Sequence, residues 1–203
     1  MSDNADLAEL RAIAESGQRA PQLGGRFFMW WGGLAGLALL AHWATLVGLS
    51  PLPMPMIGLI WAVYGLVGVT GSAVLSASLR GKPGRGAALN RAESAFWTAA
   101  TIGFIAYVAG IVALVLLRGG SVILFDTIPP LAFLVYGLAF RINNALGGPG
   151  FFGPLSYLSF AFCTGALILV GTPELYLFSA ASQLVISIGP GLILMGREPA
   201  ADA

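Results

Sequence analysis

Charge is scarce in this chain. Only 9% of its 203 residues are Asp, Glu, Lys or Arg, where a soluble domain carries about 25%. A surface so poor in charge does not stay dispersed in water, so lipid must cover it. The net charge is +1, which gives no basic field to attract nucleic acid. There is one cysteine, Cys163, and one histidine, His42. A single cysteine excludes an intrachain disulfide and leaves the redox compartment unread. A zinc site needs three or four Cys, His or carboxylate ligands, and no such set is present. The lone lysine, Lys82, lies in a loop, which excludes a Schiff base inside a span. There is no HExxH, no Walker A loop and no Rossmann glycine run. No paired carboxylates suit aspartyl chemistry, and the one histidine has no carboxylate at its level except Asp126, which argues against a serine triad. Interior carboxylates or histidine chains usually mark ion-coupled transport. Their near absence here argues against a proton pump or cation antiporter.

Apolar sequence is abundant instead. Hydrophobic residues make up 57% of the chain and glycine contributes 28 residues, with a mean hydropathy of +0.85. A span needs roughly 20 apolar residues. Six segments qualify: Phe27–Leu49, Met56–Leu79, Ala95–Leu117, Thr127–Ile142, Phe151–Val170 and Glu174–Met195, the fourth being the shortest. The first apolar run reads as span one rather than a secretory signal. The pattern predicts an all-α integral membrane protein: a bundle of six transmembrane helices with a short amphipathic N-terminal cytoplasmic helix. Residues 1–26 form that helix and a linker, 27–196 the membrane domain and 197–203 a cytoplasmic tail.

Local signals mark the boundaries. Pro51, Pro53 and Pro55 break the chain after span one. Asn90 and Glu93 resemble a capping box before span three. Asp126 is placed to cap span four, with Pro129 and Pro130 in its first turn. Thr172 and Pro173 read as N-cap and N1 of span six. The run from Arg141 to Pro154, with Asn143, Asn144 and repeated Gly and Pro, reads as an unwound cytoplasmic segment.

Lys and Arg then orient the chain. Short cytoplasmic loops carry the basic excess. Arg11, Arg19, Arg26, Arg80, Lys82, Arg85, Arg91, Arg141 and Arg197 share one side, and Arg118 alone lies opposite. Both termini are therefore expected in the cytoplasm, with the protein in the inner membrane of a bacterial cell. Trp30, Trp31, Trp97 and Phe151 near inner ends, with Trp61 and Tyr176 near outer ends, match interfacial belts. In the leader, Leu7, Leu10 and Ile13 recur at helical spacing opposite Asp6, Glu9 and Glu15. An acidic face suits a protein partner better than a lipid surface. Six spans are also compatible with two inverted three-helix halves, although no motif repeats between them.

Polar and small residues fall on stripes at helical spacing. They are Ala35, Ala38, His42 and Thr45; Gly65, Gly68, Ser72 and Ser76; Ala99, Gly103, Ala106 and Gly110; Ser156, Ser159 and Cys163; Ser179, Gln183 and Ser187. Five such faces predict one compact bundle. His42 lies in the outer half of span one, where an ionisable group is a functional candidate. As a neutral imidazole it can donate to a backbone carbonyl or to Gln183. Asp126 sits at the outer edge, with Arg118 as its expected partner. The candidate intramembrane polar or cavity site comprises His42, Thr45, Ser72, Tyr107, Asp126, Cys163 and Gln183. Gly189, Pro190 and Gly191 form a candidate hinge, since proline removes a helical hydrogen bond. No cofactor and no metal are expected.

Three functions fit these observations. The first is a non-enzymatic accessory, sensor or interaction protein. Its contacts are membrane lipid and a protein partner or second copy, through residues 3–16 or the small-residue faces. The second is a carrier or channel for a neutral or apolar solute. The third is a cofactor-binding membrane protein that uses His42.

Overall fold

The computed structural model describes residues 21–198. The leader helix expected at residues 3–16 lies outside them. The described chain is all helical, with no strand. Helices α1 (Gly25–Leu46), α2 (Ile57–Ser78), α3 (Ala88–Arg118), α4 (Ile128–Ala145) and α5 (Phe152–Ile168) are followed by α6 (Glu174–Gln183). A π-helical turn (Leu184–Ile188) joins α6 to α7 (Gly189–Met195) as one rod. Short 3₁₀ turns at Met54–Met56 and Val122–Thr127 lead into α2 and α4. Of these six rods, five are long and apolar enough to cross a membrane. The exception is α5, with 17 residues. The fourth segment, expected to be the shortest, runs to 24 residues once its 3₁₀ turn is included.

Several boundary expectations need correction. Helix α3 begins at Ala88, so Asn90 and Glu93 are inside it, and no side chain caps its start. Asp126 does not cap α4 either; Thr127 holds the N-cap position and its side chain makes no cap bond. Pro129 and Pro130 are at the start of α4 as expected. Pro173, not Thr172, is the N-cap of α6. Asn143 and Asn144 belong to α4, because the helix continues to Ala145. The irregular segment expected from Arg141 to Pro154 therefore shrinks to 146–151, between the end of α4 and the start of α5.

The rods do not pack as equals. Phe28, Leu39, Phe133, Phe140, Phe152, Ala166, Leu175, Tyr176, Ala180, Ile186 and Leu194 form the buried cluster. All of them belong to α1, α4, α5 or the α6–α7 rod. Helices α4 and α5 form the most extensive pair. They approach so closely that a Cβ on Gly137 would lie 2.3 Å from the Phe160 ring. By contrast, α2 buries only Gly68 and α3 buries only Glu93 and Ile111. The stripe Ala99, Gly103, Ala106 and Gly110 is exposed throughout. The expectation that five small-residue faces meet in one bundle fails at α3.

Glycine sets the closest crossing. A Cβ on Gly25 would lie 2.8 Å from Leu194 Cβ, and one on Gly191 2.8 Å from Met29 Cγ. A Cβ on Gly32 would lie 2.5 Å from Ser187. Small residues thus let α1 lie directly on the π turn and α7, as membrane helices do at close interfaces. The π turn has a local cause. Pro190 offers no amide hydrogen and its ring crowds the carbonyl one turn back. The chain responds by widening: the Gly189 amide bonds Leu184 O, five residues earlier. The candidate hinge residues Gly189, Pro190 and Gly191 form the first turn of α7, directly after the π turn, with Pro190 and Gly191 both buried.

Candidate functional site

Two polar clusters sit at opposite ends of the bundle. At the end expected to face outward, α1 brings His42 against α2 and α6. The Trp61 indole donates to His42 Nδ1 at 3.1 Å. A neutral imidazole that accepts at Nδ1 carries its hydrogen on Nε2. The imidazole faces the Tyr176 ring, with centroids 3.7 Å apart and planes at 37°. The Tyr176 hydroxyl donates to Asp126 Oδ1. The Gly171 amide donates to Asp126 Oδ2 at 3.0 Å. Asp126 therefore takes Tyr176 and Gly171 as partners, not Arg118. His42 meets Trp61 and Tyr176, not Gln183. The chain Trp61, His42, Tyr176, Asp126 thus links α2, α1, α6 and the turn before α4.

The other candidates stand around or away from this cluster. Tyr107 on α3 shares a 2.8 Å hydrogen bond with Thr127, next to Asp126. Thr45 is buried, but its hydroxyl donates to Ala41 O of its own helix at 2.8 Å. Gln183 is buried, and its Oε1 accepts no hydrogen bond. Ser179 and Ser156 also bury hydroxyls without a partner. Ser72 lies on α2, its hydroxyl likewise unpartnered. Cys163 is a half-buried free thiol at the margin of the core. Ser187 is satisfied: its hydroxyl donates to Phe28 O at 2.7 Å and lies 3.3 Å from the Tyr136 hydroxyl. The structure thus joins His42 to Asp126, with Tyr107 nearby, and leaves Ser72, Cys163 and Gln183 apart from them.

The opposite end holds a cluster that sequence reasoning missed. Gln22 Nε2 donates to Glu93 Oε2 at 2.8 Å and to Asn143 Oδ1 at 2.9 Å. Asn143 Nδ2 donates to Ala139 O of its own helix at 3.1 Å. Asn90 straps the same region. Its Oδ1 accepts from the Leu23 amide at 3.1 Å, and its Nδ2 donates to Pro21 O and Gly84 O at 2.9 and 2.8 Å. Beside it, Glu198 Oε2 receives both Arg26, at 3.0 Å, and Lys82, at 2.6 Å. These residues come from the segment before α1, the start of α1, the α2–α3 loop, α3, α4 and the chain after α7. Glu93 resembled a cap because it follows Asn90 by three residues. Gln22 stands in no periodic run, so nothing in sequence paired it with a residue 71 positions away.

A groove of about 350 Å³ runs between α1 and α2, walled by Leu34, Leu37, Ala41, Leu59, Val63 and Tyr64 among others. Its walls are apolar, and neither His42 nor Gln183 lines it. Among the described residues no group of three or more His, Cys, Asp or Glu is placed to hold a metal ion. No protein-family model, curated protein or solved structure matches this chain.

Proposed function

We propose that this is a non-enzymatic interaction protein of the cytoplasmic membrane. It has six spans, and both ends face the cytoplasm. Four rods, α1, α4, α5 and α6–α7, form the scaffold. Helices α2 and α3 present their faces to lipid and to a protein partner. One observation carries this reading: α3 is 31 residues long, yet only Glu93 and Ile111 are buried. Leu116 and Leu117 are 76% and 82% exposed. A helix of that length rises about 46 Å at 1.5 Å per residue, more than the roughly 30 Å hydrocarbon core. Its first two turns therefore project to the inner side. The orientation rests on the distribution of Lys and Arg: Arg26, Arg80, Lys82, Arg85, Arg91, Arg141 and Arg197 fall on one side and Arg118 on the other.

The orientation is tested in a Cys163→Ala background. An impermeant maleimide added outside is expected to label Ser121→Cys and spare Gly86→Cys; the reverse overturns it. The interaction is tested by photo-crosslinking from position 103 on α3, with position 139 in the core as control. A discrete protein adduct from position 103 supports the reading. Adducts to lipid alone sink it.

A second reading is a carrier for a small neutral solute. The unpartnered buried polar atoms of Ser156, Ser179 and Gln183 support it. Equal solute exchange by protein-containing and protein-free vesicles would remove it.

A further inference from the structure

Gln22, Glu93 and Asn143 are 7%, 7% and 4% exposed. They join the segment before α1 to α3 and α4. A carboxamide nitrogen has two hydrogens. Those of Gln22 are both used, on Glu93 Oε2 and Asn143 Oδ1. Two buried acceptors make no hydrogen bond in the structure, Glu93 Oε1 and Gln22 Oε1; the neutral Trp97 indole, one turn along α3, is the other donor beside the Glu93 carboxylate. The first presses on the start of α1: a Cβ on Gly24 would lie 2.5 Å from it. Neighbouring charges are engaged elsewhere. Arg26 of α1 and Lys82 of the loop both bind Glu198. Arg141 of α4 is exposed and lies over the Tyr157 ring at 5.8 Å. Arg91 of α3 is exposed. Tyr136 of α4 is bonded to Ser187. Among the described residues, no cation pairs with Glu93.

A carboxylate buried without a counter-charge costs several kcal/mol, and such a group neutralises instead. A metal ion does not fit. Calcium and magnesium take about six or more oxygens, and only two are free here. The Gln22 amide hydrogens at the centre would also repel a cation. A single proton fits, because it turns Glu93 Oε1 from an orphan acceptor into a donor.

We propose that Glu93 is a proton-binding carboxylic acid at the inner end of the bundle, whose proton keeps residues 21–24 closed onto α3 and α4. Loss of the proton leaves a buried carboxylate that has the neutral donors Gln22 and Trp97 but no cation among the described residues, pressed against the Gly24 backbone, and the segment opens. The closed arrangement is complete at low pH and is lost as pH rises through the release of that proton. Closure presents the N-terminal segment in one position to the partner proposed above. The proton itself stands independently of that reading.

Full-length protein in lipid nanodiscs tests this. Infrared spectra at about pH 6 are expected to show a carboxylic-acid carbonyl band in the wild type that Glu93→Gln lacks. Leu23, 4% exposed, is then replaced by Cys in the Cys163→Ala background. Its maleimide labelling is read as a ratio to that of Gly86→Cys. The ratio is expected to rise about tenfold for each pH unit past the release point. In Glu93→Gln it stays low at every pH, because the amide mimics the neutral acid. Absence of a Glu93-dependent band overturns the proposal, as does a labelling ratio with the same pH dependence in Glu93→Gln. Replacing sodium by choline in the wild type leaves the ratio unchanged. Opening in choline would indicate a metal ion and also overturn it.

Discussion

Replacing Gly32 by Ala puts a Cβ 2.5 Å from Ser187 Cβ and Oγ. Neither helix has room to yield, since α1 also meets α7 through Gly25 and Gly191. Overpacking of this kind costs about 1–3 kcal/mol. The displaced Ser187 hydroxyl loses its 2.7 Å bond to Phe28 O, about 0.6 kcal/mol for a polar contact between membrane helices. Alanine returns up to about 1 kcal/mol through its better helix propensity. With the full alanine gain the balance is a net loss of about 0.6–2.6 kcal/mol, or a fall of about 1–10 °C in the thermal midpoint for a chain of this size. Gly33 and Gly36 provide the control. A Cβ at either position meets nothing within 4 Å, so alanine there raises the midpoint by up to about 4 °C. The assay is thermal unfolding in one detergent, followed by circular dichroism. If Gly32→Ala melts with Gly33→Ala, the α1–π-turn contact does not carry the packing assigned to it.

Other perturbations probe separate links. Phe140→Ala opens a cavity at a fully buried ring, 5.1 Å from Phe152 and 5.8 Å from Phe28. It is expected to cost about 3–5 kcal/mol, while Leu116→Ala at an exposed site stays within about 0.5 kcal/mol in the same melt. A double-mutant cycle on Trp61→Phe and His42→Phe is expected to give a coupling of about 0.5–2 kcal/mol. Additive midpoints would show that the 3.1 Å contact is energetically idle. Glu198→Gln removes the carboxylate shared by Arg26 and Lys82. Arg26 is 31% exposed, so the loss falls below the 3–5 kcal/mol of a fully buried pair, at about 1–3 kcal/mol. Equal melting of Glu198→Gln and the wild type would refute it.

What could be read from the sequence was what has a period or a break. Each of the six apolar runs corresponds to a helical rod, because a long apolar run has a length and a hydrophobicity that can be read directly, although α3 begins at Ala88, seven residues before the apolar run expected from Ala95. Pro190 announced a distortion through its missing amide hydrogen. The sequence could not show that the distortion would be a π turn rather than a kink, nor that α1 would lie on it with Gly32 against Ser187. Asp126 could be picked out as a rare carboxylate near a span, but its partners could not. Pairing it with Arg118 assumed a contact across one loop, whereas the fold brings in Gly171 and Tyr176, 45 and 50 residues away. The stripe on α3 looked identical to those on α1 and α6. Periodicity identifies a face and says nothing about what meets it. Gln22 had neither a period nor a neighbour, so the inner cluster was invisible until three elements converged.

On the proposed membrane reading, the division between a packed scaffold and two peripheral helices follows from how helices associate in lipid. Acyl chains are as apolar as Leu or Val, so burial alone does not hold a span against its neighbours. Close packing and hydrogen bonds must do it. The α1, α4, α5 and α6–α7 rods have both, through glycine crossings and stacked aromatics. Helix α2 has a few points only. Trp61 reaches His42, the Trp30 indole donates to Gly68 O at 3.1 Å, and Trp31 fills the space above Gly68. Helix α3 is held through its first turns by Asn90, Glu93 and Trp97 and farther along by Tyr107 to Thr127. Its small-residue face, Ala99 to Gly110, is exposed. Under the proposed pH response, proton release weakens one of these fastenings, Glu93 to Gln22, while Asn90, Trp97 and Tyr107 keep α3 in place, so the change falls on residues 21–24 rather than on the whole helix.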